Sequence, residues 1–203
     1  MEDQAAFLPL PAVAFSACRQ VSTSASSLSL VRFDDNDYSV PVQWAHHPIV
    51  VKAGYRDITL FSDGQEVARH RRVWERERVR FDPLHYLALL ERKPGALDYA
   101  RPLEGWSLPE CFVVLRRRLE AQSDGHGTRE YIRVLRLLEH HPVGRLRSAV
   151  ESALRVGAIT RDAIAQFLYP PEDCRQTTFD LAGHPHLRHV RVAAPVLGEY
   201  QVL

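Results

Sequence analysis

The spacing of apolar residues changes once along this chain, near Trp74, and this change constrains the fold more than any other feature. Upstream, short segments such as DITLF alternate apolar and polar residues, a pattern typical of half-buried strands. From Leu84 onward, apolar residues recur every three or four positions, which is typical of amphipathic helices. We therefore predict an α+β chain, with a small antiparallel β-barrel over 28–80 followed by a helical array over 81–173.

Strand signals follow one another closely upstream of Trp74. They are the segments SLSLVRF, YSVPV, PIVVKAGY, DITLF and QEVARHRRV. The acidic run Asp34–Asp37 lies between the first two and supplies turn chemistry, because it lacks the twelve-residue ligand spacing of a calcium loop. Asp63 and Gly64 predict a two-residue hairpin turn, since glycine readily adopts a positive φ. Short strands joined by tight turns predict a small curved barrel.

Capping residues mark the helices downstream. Asp82 is a good N-cap and Pro83 suits the first helical position. Gly157 is placed to end one helix, and Thr160 is placed to begin the next. These signals predict several short helices.

The two ends of the chain carry weaker signals. Residues 1–27 contain Pro, Ala and Ser without helical periodicity, and we interpret them as a linker or lead-in. Residues 174–203 are predicted to be an irregular tail. No apolar run approaches the roughly 20 residues of a membrane span, and the first residues are acidic where a secretory signal is basic. We expect a cytoplasmic protein without a membrane partner.

The arginine-rich run from Arg69 to Arg80 is the best candidate for a binding surface. The net charge of the chain is only +1, so the charge is local rather than global. Guanidinium groups pair with phosphate oxygens, and neutralisation of the backbone supplies most sequence-independent affinity for DNA. The predicted DNA-binding residues are Lys52, Arg56, Arg69, Arg71, Arg72, Arg76, Arg78 and Arg80.

Strand alternation divides the start of this run. It predicts Arg69 and Arg71 on one face and His70 and Arg72 on the other. The alternative interpretation is a solvated surface that nearby glutamates partly neutralise.

Metal and cofactor chemistry receives little support. The three cysteines, Cys18, Cys111 and Cys174, are far apart and show no C-x-x-C spacing. The tail combines Cys174 with three histidines, which are zinc-ligand types without a known zinc spacing. These histidines are His184, His186 and His189. We predict neither a metal nor a cofactor.

Catalytic motifs are equally weak. The sequence lacks a G-x-S-x-G elbow, a Walker lysine loop and a G-x-G-x-x-G motif. Cys111 and His85 stay open as a nucleophile pair, although Cys111 falls on the apolar side of its predicted helix. Two-metal strand transfer needs carboxylates on an RNase H-like core, and no such core can be drawn here. We expect no enzymatic activity from this chain alone.

Four long segments resemble the C-terminal portion of IstA-type insertion-sequence transposases, which are Mu-like DDE recombinases that work with an AAA+ helper called IstB. The likeness runs from about Leu8 to the C-terminus. The segments are VRFDDNDYSVP, the Arg/Trp/Glu stretch at 73–80, FDPLHYLALLERKPGALDYARPLEGW and GTREYIRVLRLLEHHP.

The resemblance implies a division of roles. In that family a helix-turn-helix region and a DDE catalytic domain precede a barrel of the Mu-transposase C-terminal type and a helical region. The barrel is expected to contact double-stranded DNA at the element ends. The helices are expected to contact other protomers, as a homo-oligomer, or the IstB-type ATPase. The upstream domains have no counterpart in this sequence, so the family's catalytic carboxylates cannot be carried over.

Three functions stay open at this point. The first is a non-catalytic C-terminal region that binds DNA and protein during transposition. The second is an interaction module that recruits an ATPase without touching DNA, and the third is a remnant with no selected role. Salt-dependent binding to duplex DNA separates the first two.

Overall fold

Strands form up to Arg80 and helices form from Pro83 onward, so the predicted change of secondary structure is confirmed. A computed structural model describes residues 17–122 and 125–169. The strands are β1 (Arg19–Ser24), β2 (Leu30–Phe33), β3 (Asn36–Ser39), β4 (Pro48–Ala53), β5 (Asp57–Ser62), β6 (Gln65–Arg71) and β7 (Val79–Arg80).

The strands are arranged in two sheets. One is antiparallel with the order β1-β4-β5-β6, and the other has the order β2-β3-β7, with β3 and β7 parallel. The two sheets share one core, which includes Val31, Tyr38, Val51, Ile58 and Leu60. No hydrogen-bonded ladder closes these strands into a ring within the described residues, so the predicted antiparallel barrel is not confirmed. The coarser α+β prediction with antiparallel pairing is confirmed.

Two strands were not predicted. β1 lies in the segment interpreted as a lead-in, and it pairs with β4 so that Val21 stands opposite Val51. This pairing satisfies backbone groups along what would otherwise be an exposed edge of β4. β7 is only two residues long and pairs Val79 with Asp37.

Both predicted turns are two-residue hairpins with positive φ at each central residue. Asp34 and Asp35 have φ values of 46° and 59°, and Asp63 and Gly64 have values of 49° and 78°. Two consecutive positive φ values are typical of a type I′ turn, whose twist matches that of the flanking strands.

Five α-helices and four 3₁₀ turns form the helical part among the described residues, and one further 3₁₀ turn lies between β3 and β4. The α-helices are α1 (Leu87–Arg92), α2 (Glu110–Gln122), α3 (Gly127–Leu135), α4 (Val143–Val156) and α5 (Arg161–Leu168). The 3₁₀ turns are Val42–Trp44, Pro83–Tyr86, Pro94–Tyr99, Arg101–Leu103 and Arg136–Glu139. The helices surround a second core that includes Phe112, Leu115, Ile132, Leu146 and Ile164. No helix in the described part is long and apolar enough to cross a membrane.

The caps predicted at Asp82, Gly157 and Thr160 are present. The Asp82 carboxylate accepts a hydrogen bond from Leu84 N at 3.0 Å, and Pro83 begins the following 3₁₀ turn. Gly157 ends α4 with a φ of 77°, and Thr160 Oγ1 accepts from Ala163 N at 3.3 Å at the start of α5.

Polar contacts join the sheets to the helical part. Ser39 Oγ accepts from Asp82 N at 2.8 Å and lies 2.8 Å from His85 Nδ1. The Tyr86 hydroxyl donates to Leu28 O at 3.0 Å. These bonds fix the first helical turn against the end of β3.

Candidate nucleic-acid interface

Strand β6 sends two arginines outward and a histidine inward. Arg69 and Arg71 are exposed, whereas His70 is buried. The Nε2 atom of His70 lies 2.6 Å from Ser39 O, so the imidazole has a polar partner inside the fold. Burial lowers the pKa of His70, which favours the neutral ring. The predicted alternation along this strand is confirmed.

The register of the four-stranded sheet places Lys52 and Arg69 in one row across its outer face. Lys52 stands opposite Thr59, and Thr59 stands opposite Arg69. The Nζ atom of Lys52 lies 4.4 Å from the centroid of the Phe61 ring. We call the surface formed by Lys52, Arg69 and Arg71 the outer-sheet face.

Charge on the outer-sheet face is only partly compensated. Arg69 makes two hydrogen bonds to Glu66, at 2.9 and 3.0 Å, and these bonds lower the pKa of the Glu66 carboxyl. Asp57 stands opposite Arg71 in the sheet register. The Arg71 side chain makes no hydrogen bond or ion pair within the described residues. This surface can therefore offer cations to an anionic partner.

Two more predicted cations are exposed without such a bond within the described part of the chain. Arg56 lies in the turn between β4 and β5, and Arg80 lies on β7. Like Arg71, both side chains are therefore free to bind a phosphate group.

Arg72 is placed differently from the other predicted residues. Only 13% of its side chain is exposed, and its guanidinium donates to Asp34 Oδ2 at 2.7 Å and to Gly54 O at 2.9 Å. The same group lies 4.0 Å from the Trp74 ring centroid and 5.6 Å from that of Phe33. Its contacts are satisfied within the protein, which does not favour a role in binding DNA.

Acidic residues also engage the arginines that follow. Arg78 Nε lies 2.7 Å from Glu75 Oε2, and Arg76 Nε lies 3.8 Å from Asp35 Oδ2. The arginine run is thus divided between a cationic sheet face and a paired cluster beside the β2–β3 turn.

Carboxylates in the β2–β3 turn and at the start of β3 also pair with arginines. Asp34 accepts from Arg19 at 3.0 Å as well as from Arg72, and Asp37 accepts from Arg32 at 3.2 Å. No group of three or more His, Cys, Asp or Glu side chains suited to a metal ion occurs in residues 17–122 and 125–169. Cys174 and the tail histidines lie outside the described residues.

The possible Cys111–His85 pair is not brought together within the described residues. Cys111 packs against the helical core, and burial raises the pKa of its thiol, with Glu151 raising it further. His85 instead bonds to Ser39, as described above. A thiol with a raised pKa and no hydrogen bond to a histidine among the described residues is not an activated nucleophile.

Ser39, His85 and Asp82 form a chain that superficially resembles a catalytic triad. His85 Nε2 lies 3.8 Å from Asp82 Oδ2, on the side opposite its bond to Ser39. Ser39 is fully buried, and its Oγ also accepts from the Asp82 backbone. Burial lowers the pKa of His85 to about 4. The arrangement holds the sheet to the helices and gives no substrate access to the hydroxyl.

Two features of the described residues were not predicted from the sequence. The first is an exposed aromatic pair, Tyr55 and Trp74, whose ring centroids are 5.8 Å apart. The second is a group of arginines around Glu91, which accepts from Arg133 at 2.9 Å and from Arg136 at 2.7 Å. Spacings of three and four residues along α3 could have indicated the second feature. The aromatic pair joins residues from separate connecting segments, so no local sequence pattern indicates it.

Comparison with known proteins agrees with this architecture. Residues 10–82 match the family model described as Mu transposase, C-terminal domain. The chain is 32% identical over 172 residues to the transposase for insertion sequences IS1326/IS1353 of Pseudomonas aeruginosa, and equally to that of Shigella flexneri. It is 34% identical over 154 residues to a transposase of Aminobacter aminovorans.

These alignments cover most of the chain but a minor part of each relative. They include 82% and 73% of the chain, and 33% and 30% of the relatives. The chain therefore spans about a third of the length of the curated relatives that it matches. No solved structure matches the chain significantly. The chain is thus a relative of the insertion-sequence transposases, and its residues 10–82 match the Mu transposase C-terminal domain.

Proposed function

We propose that this chain contributes DNA contacts to an insertion-sequence transposase through the outer-sheet face, and that it supplies binding rather than the catalytic carboxylates. The observation that carries the proposal is the outward projection of Lys52 from β4 and of Arg69 and Arg71 from β6, on the same face of one sheet. Cations fixed on a sheet can follow a phosphate backbone without reading base sequence. Arg56 and Arg80 are the further predicted cations without a bonded carboxylate among the described residues.

Salt dependence of DNA binding tests this proposal. Affinity of the purified chain for a labelled duplex carrying element-end sequence is measured by fluorescence anisotropy over a range of salt concentrations. Replacing Lys52, Arg69 and Arg71 together by Ala should weaken binding and make the plot of log affinity against log salt less steep by roughly three units, about 0.9 per lost phosphate contact.

A control variant should remove the same charge elsewhere. Arg117, Arg147 and Arg155 are exposed on α2 and α4, so their combined replacement by Ala is a matched control. The control should keep most of the affinity and slope. Absence of binding at low salt, or equal loss in both triple variants, would reject the sheet face as the DNA surface and favour an interaction module.

Exposed apolar residues on the helices support a second interaction, with a protein. Val113, Val143, Val156 and Phe167 each expose 41–66% of their surface. We propose that this part of the chain contacts another protomer or an AAA+ helper ATPase of the IstB type. Replacing Val113 and Phe167 by Ser should reduce capture of the helper, or self-association, and leave DNA affinity unchanged. Unchanged assembly in both assays would reject this contact.

A further inference from the structure

An aromatic pair stands exposed at the edge of the cationic surface. Tyr55 exposes 77% of its surface and Trp74 exposes 64%, and their rings meet at an interplanar angle of 49°. Neither residue belongs to either of the two cores. Packing among the described residues does not account for two large aromatic side chains exposed side by side.

The backbone around Trp74 is held by buried groups. The Asn36 side-chain amide donates to Val73 O at 3.3 Å and to Glu75 O at 2.7 Å, on either side of Trp74. Val73 N donates to the Tyr38 hydroxyl at 3.1 Å. The exposed indole therefore projects from a fixed segment and not from a free loop.

Arg72 fixes the ring itself. Its guanidinium lies 4.0 Å from the indole centroid and is anchored by its bonds to Asp34 and Gly54. A ring held in place before binding loses little conformational freedom when a ligand stacks on it. This arrangement is a preorganised stacking surface.

Charge beside the pair points to a nucleic acid. Arg56 directly follows Tyr55 in the β4–β5 turn, and Arg72 N donates to Arg56 O at 2.7 Å, which brings this turn against the end of β6. Arg71 therefore lies at the same end of the sheet. Neither Arg56 nor Arg71 has a side-chain hydrogen bond or ion pair among the described residues. Exposed rings flanked by unbonded guanidinium groups suit bases and their phosphates.

We propose that Tyr55 and Trp74 form a platform on which an unpaired DNA base stacks, while Arg56 and Arg71 contact the adjoining phosphates. This proposal rests on the proposed DNA-binding function and specifies the kind of DNA. Bases inside an intact duplex stack on one another and present only their edges to a protein. The platform therefore selects single-stranded, gapped or locally opened DNA.

The test compares two labelled DNAs of equal length, one a continuous duplex and the other a duplex with a single-stranded gap. Affinities of the whole chain for both are measured by fluorescence anisotropy. The unaltered chain should prefer the gapped DNA. Trp74→Ala and Tyr55→Ala should each weaken binding to gapped DNA by about tenfold, within the range measured for loss of one base–aromatic stack. Their affinity for continuous duplex should stay nearly unchanged.

Two further variants make the comparison specific. Trp74→Phe keeps an aromatic face and should retain most of the preference for gapped DNA. Tyr99→Ala removes an equally exposed aromatic, 88% exposed, from the helical part and should have no effect on either DNA. Thermal melting of each variant verifies that the fold is retained.

The outcomes separate this proposal from the DNA-binding function on which it rests. Duplex binding that depends on the outer-sheet face, without preference for gapped DNA and without an effect of Trp74→Ala or Tyr55→Ala, would overturn the platform alone. In that case the aromatic pair would be assigned to contact with a protein partner. Failure to bind either DNA would overturn both proposals.

Discussion

The side-chain amide of Asn36 lies 2.7 Å from the carbonyl oxygen of Glu75, a residue 39 positions further along the chain. Asn36 also donates to Asp34 O and Val73 O, and its Oδ1 accepts from Arg78 N at 2.9 Å. One buried side chain thus connects the β2–β3 turn to the segment that leads into β7.

Replacement of Asn36 by Ala should therefore destabilise the protein. The change leaves part-buried backbone groups without partners, and we expect a loss of roughly 2–4 kcal/mol in the free energy of unfolding. Urea denaturation measures it. Gln43→Ala is the control, because Gln43 is exposed and should change stability by less than about 0.5 kcal/mol. A similar small effect at Asn36 would contradict the bridging role.

Arg72 and Arg71 are neighbours that should respond differently to truncation. Arg72→Ala removes two hydrogen bonds and the cation above the Trp74 ring. We expect a loss of about 1–3 kcal/mol in unfolding free energy, together with a changed Trp74 emission. Arg71→Ala should stay within about 0.5 kcal/mol, because the side chain is exposed.

The same two variants separate stability from DNA binding. Arg71→Ala should weaken DNA binding at unchanged stability. Arg72→Ala should lower the free energy of unfolding. The DNA affinity of the molecules that remain folded should depend on salt as it does in the unaltered chain. If Arg72→Ala is as stable as Arg71→Ala and loses more DNA affinity, the assignment of Arg72 to a structural role is wrong.

Local sequence signals predicted the secondary structure well. The hairpin turns at Asp34–Asp35 and Asp63–Gly64 and the cap at Asp82 depend on neighbouring residues, which are visible in the sequence. The helical core follows from the spacing of its apolar residues. Strand β1 was missed because RQVSTS places only Val21 and Thr23 inward, and this short weak pattern lies in a Ser-rich stretch.

The candidate site could be predicted only in part. Alternation along β6 correctly separated Arg69 and Arg71 from His70. It gave no information about the carboxylate that engages Arg72, because the Arg72–Asp34 bond spans 38 positions. Asn36 was interpreted as a turn residue, although its buried contacts reach residues 37 to 42 positions away. Closure into a barrel depends on how whole sheets meet, which alternation within single strands does not specify.

The buried His85 should make stability depend on pH. Its pKa in the folded chain is about 4, below the ordinary value of 6.5, so the unfolded chain binds the proton more tightly. The stabilisation is complete above the unfolded pKa and is lost as the pH falls from 6.5 toward 4. His70 shifts in the same direction because it too is buried. We expect a loss of about 2 kcal/mol between roughly pH 7 and pH 5 from His85 alone.

Urea denaturation at a series of pH values measures this dependence. His85→Asn should lower stability at neutral pH and reduce the slope of stability against pH over this interval by about one proton. His46→Asn is the control, since His46 is exposed. An unchanged slope in His85→Asn would show that other groups dominate.

Gly127 and Gly144 should respond oppositely to replacement by Ala. A Cβ at Gly127 would overlap the carbonyl of Leu119 and the Cα of Glu120, because α2 and α3 pack closely at this point. Both neighbours are backbone atoms, so relief requires the helices to move apart, and we expect a loss of at least about 2 kcal/mol. At Gly144, within α4, nothing lies within 4 Å of the place that a Cβ would occupy, and Ala should stabilise the helix by up to about 1 kcal/mol. Thermal melting of the two variants measures the difference. Equal melting temperatures would contradict the close approach of α2 and α3.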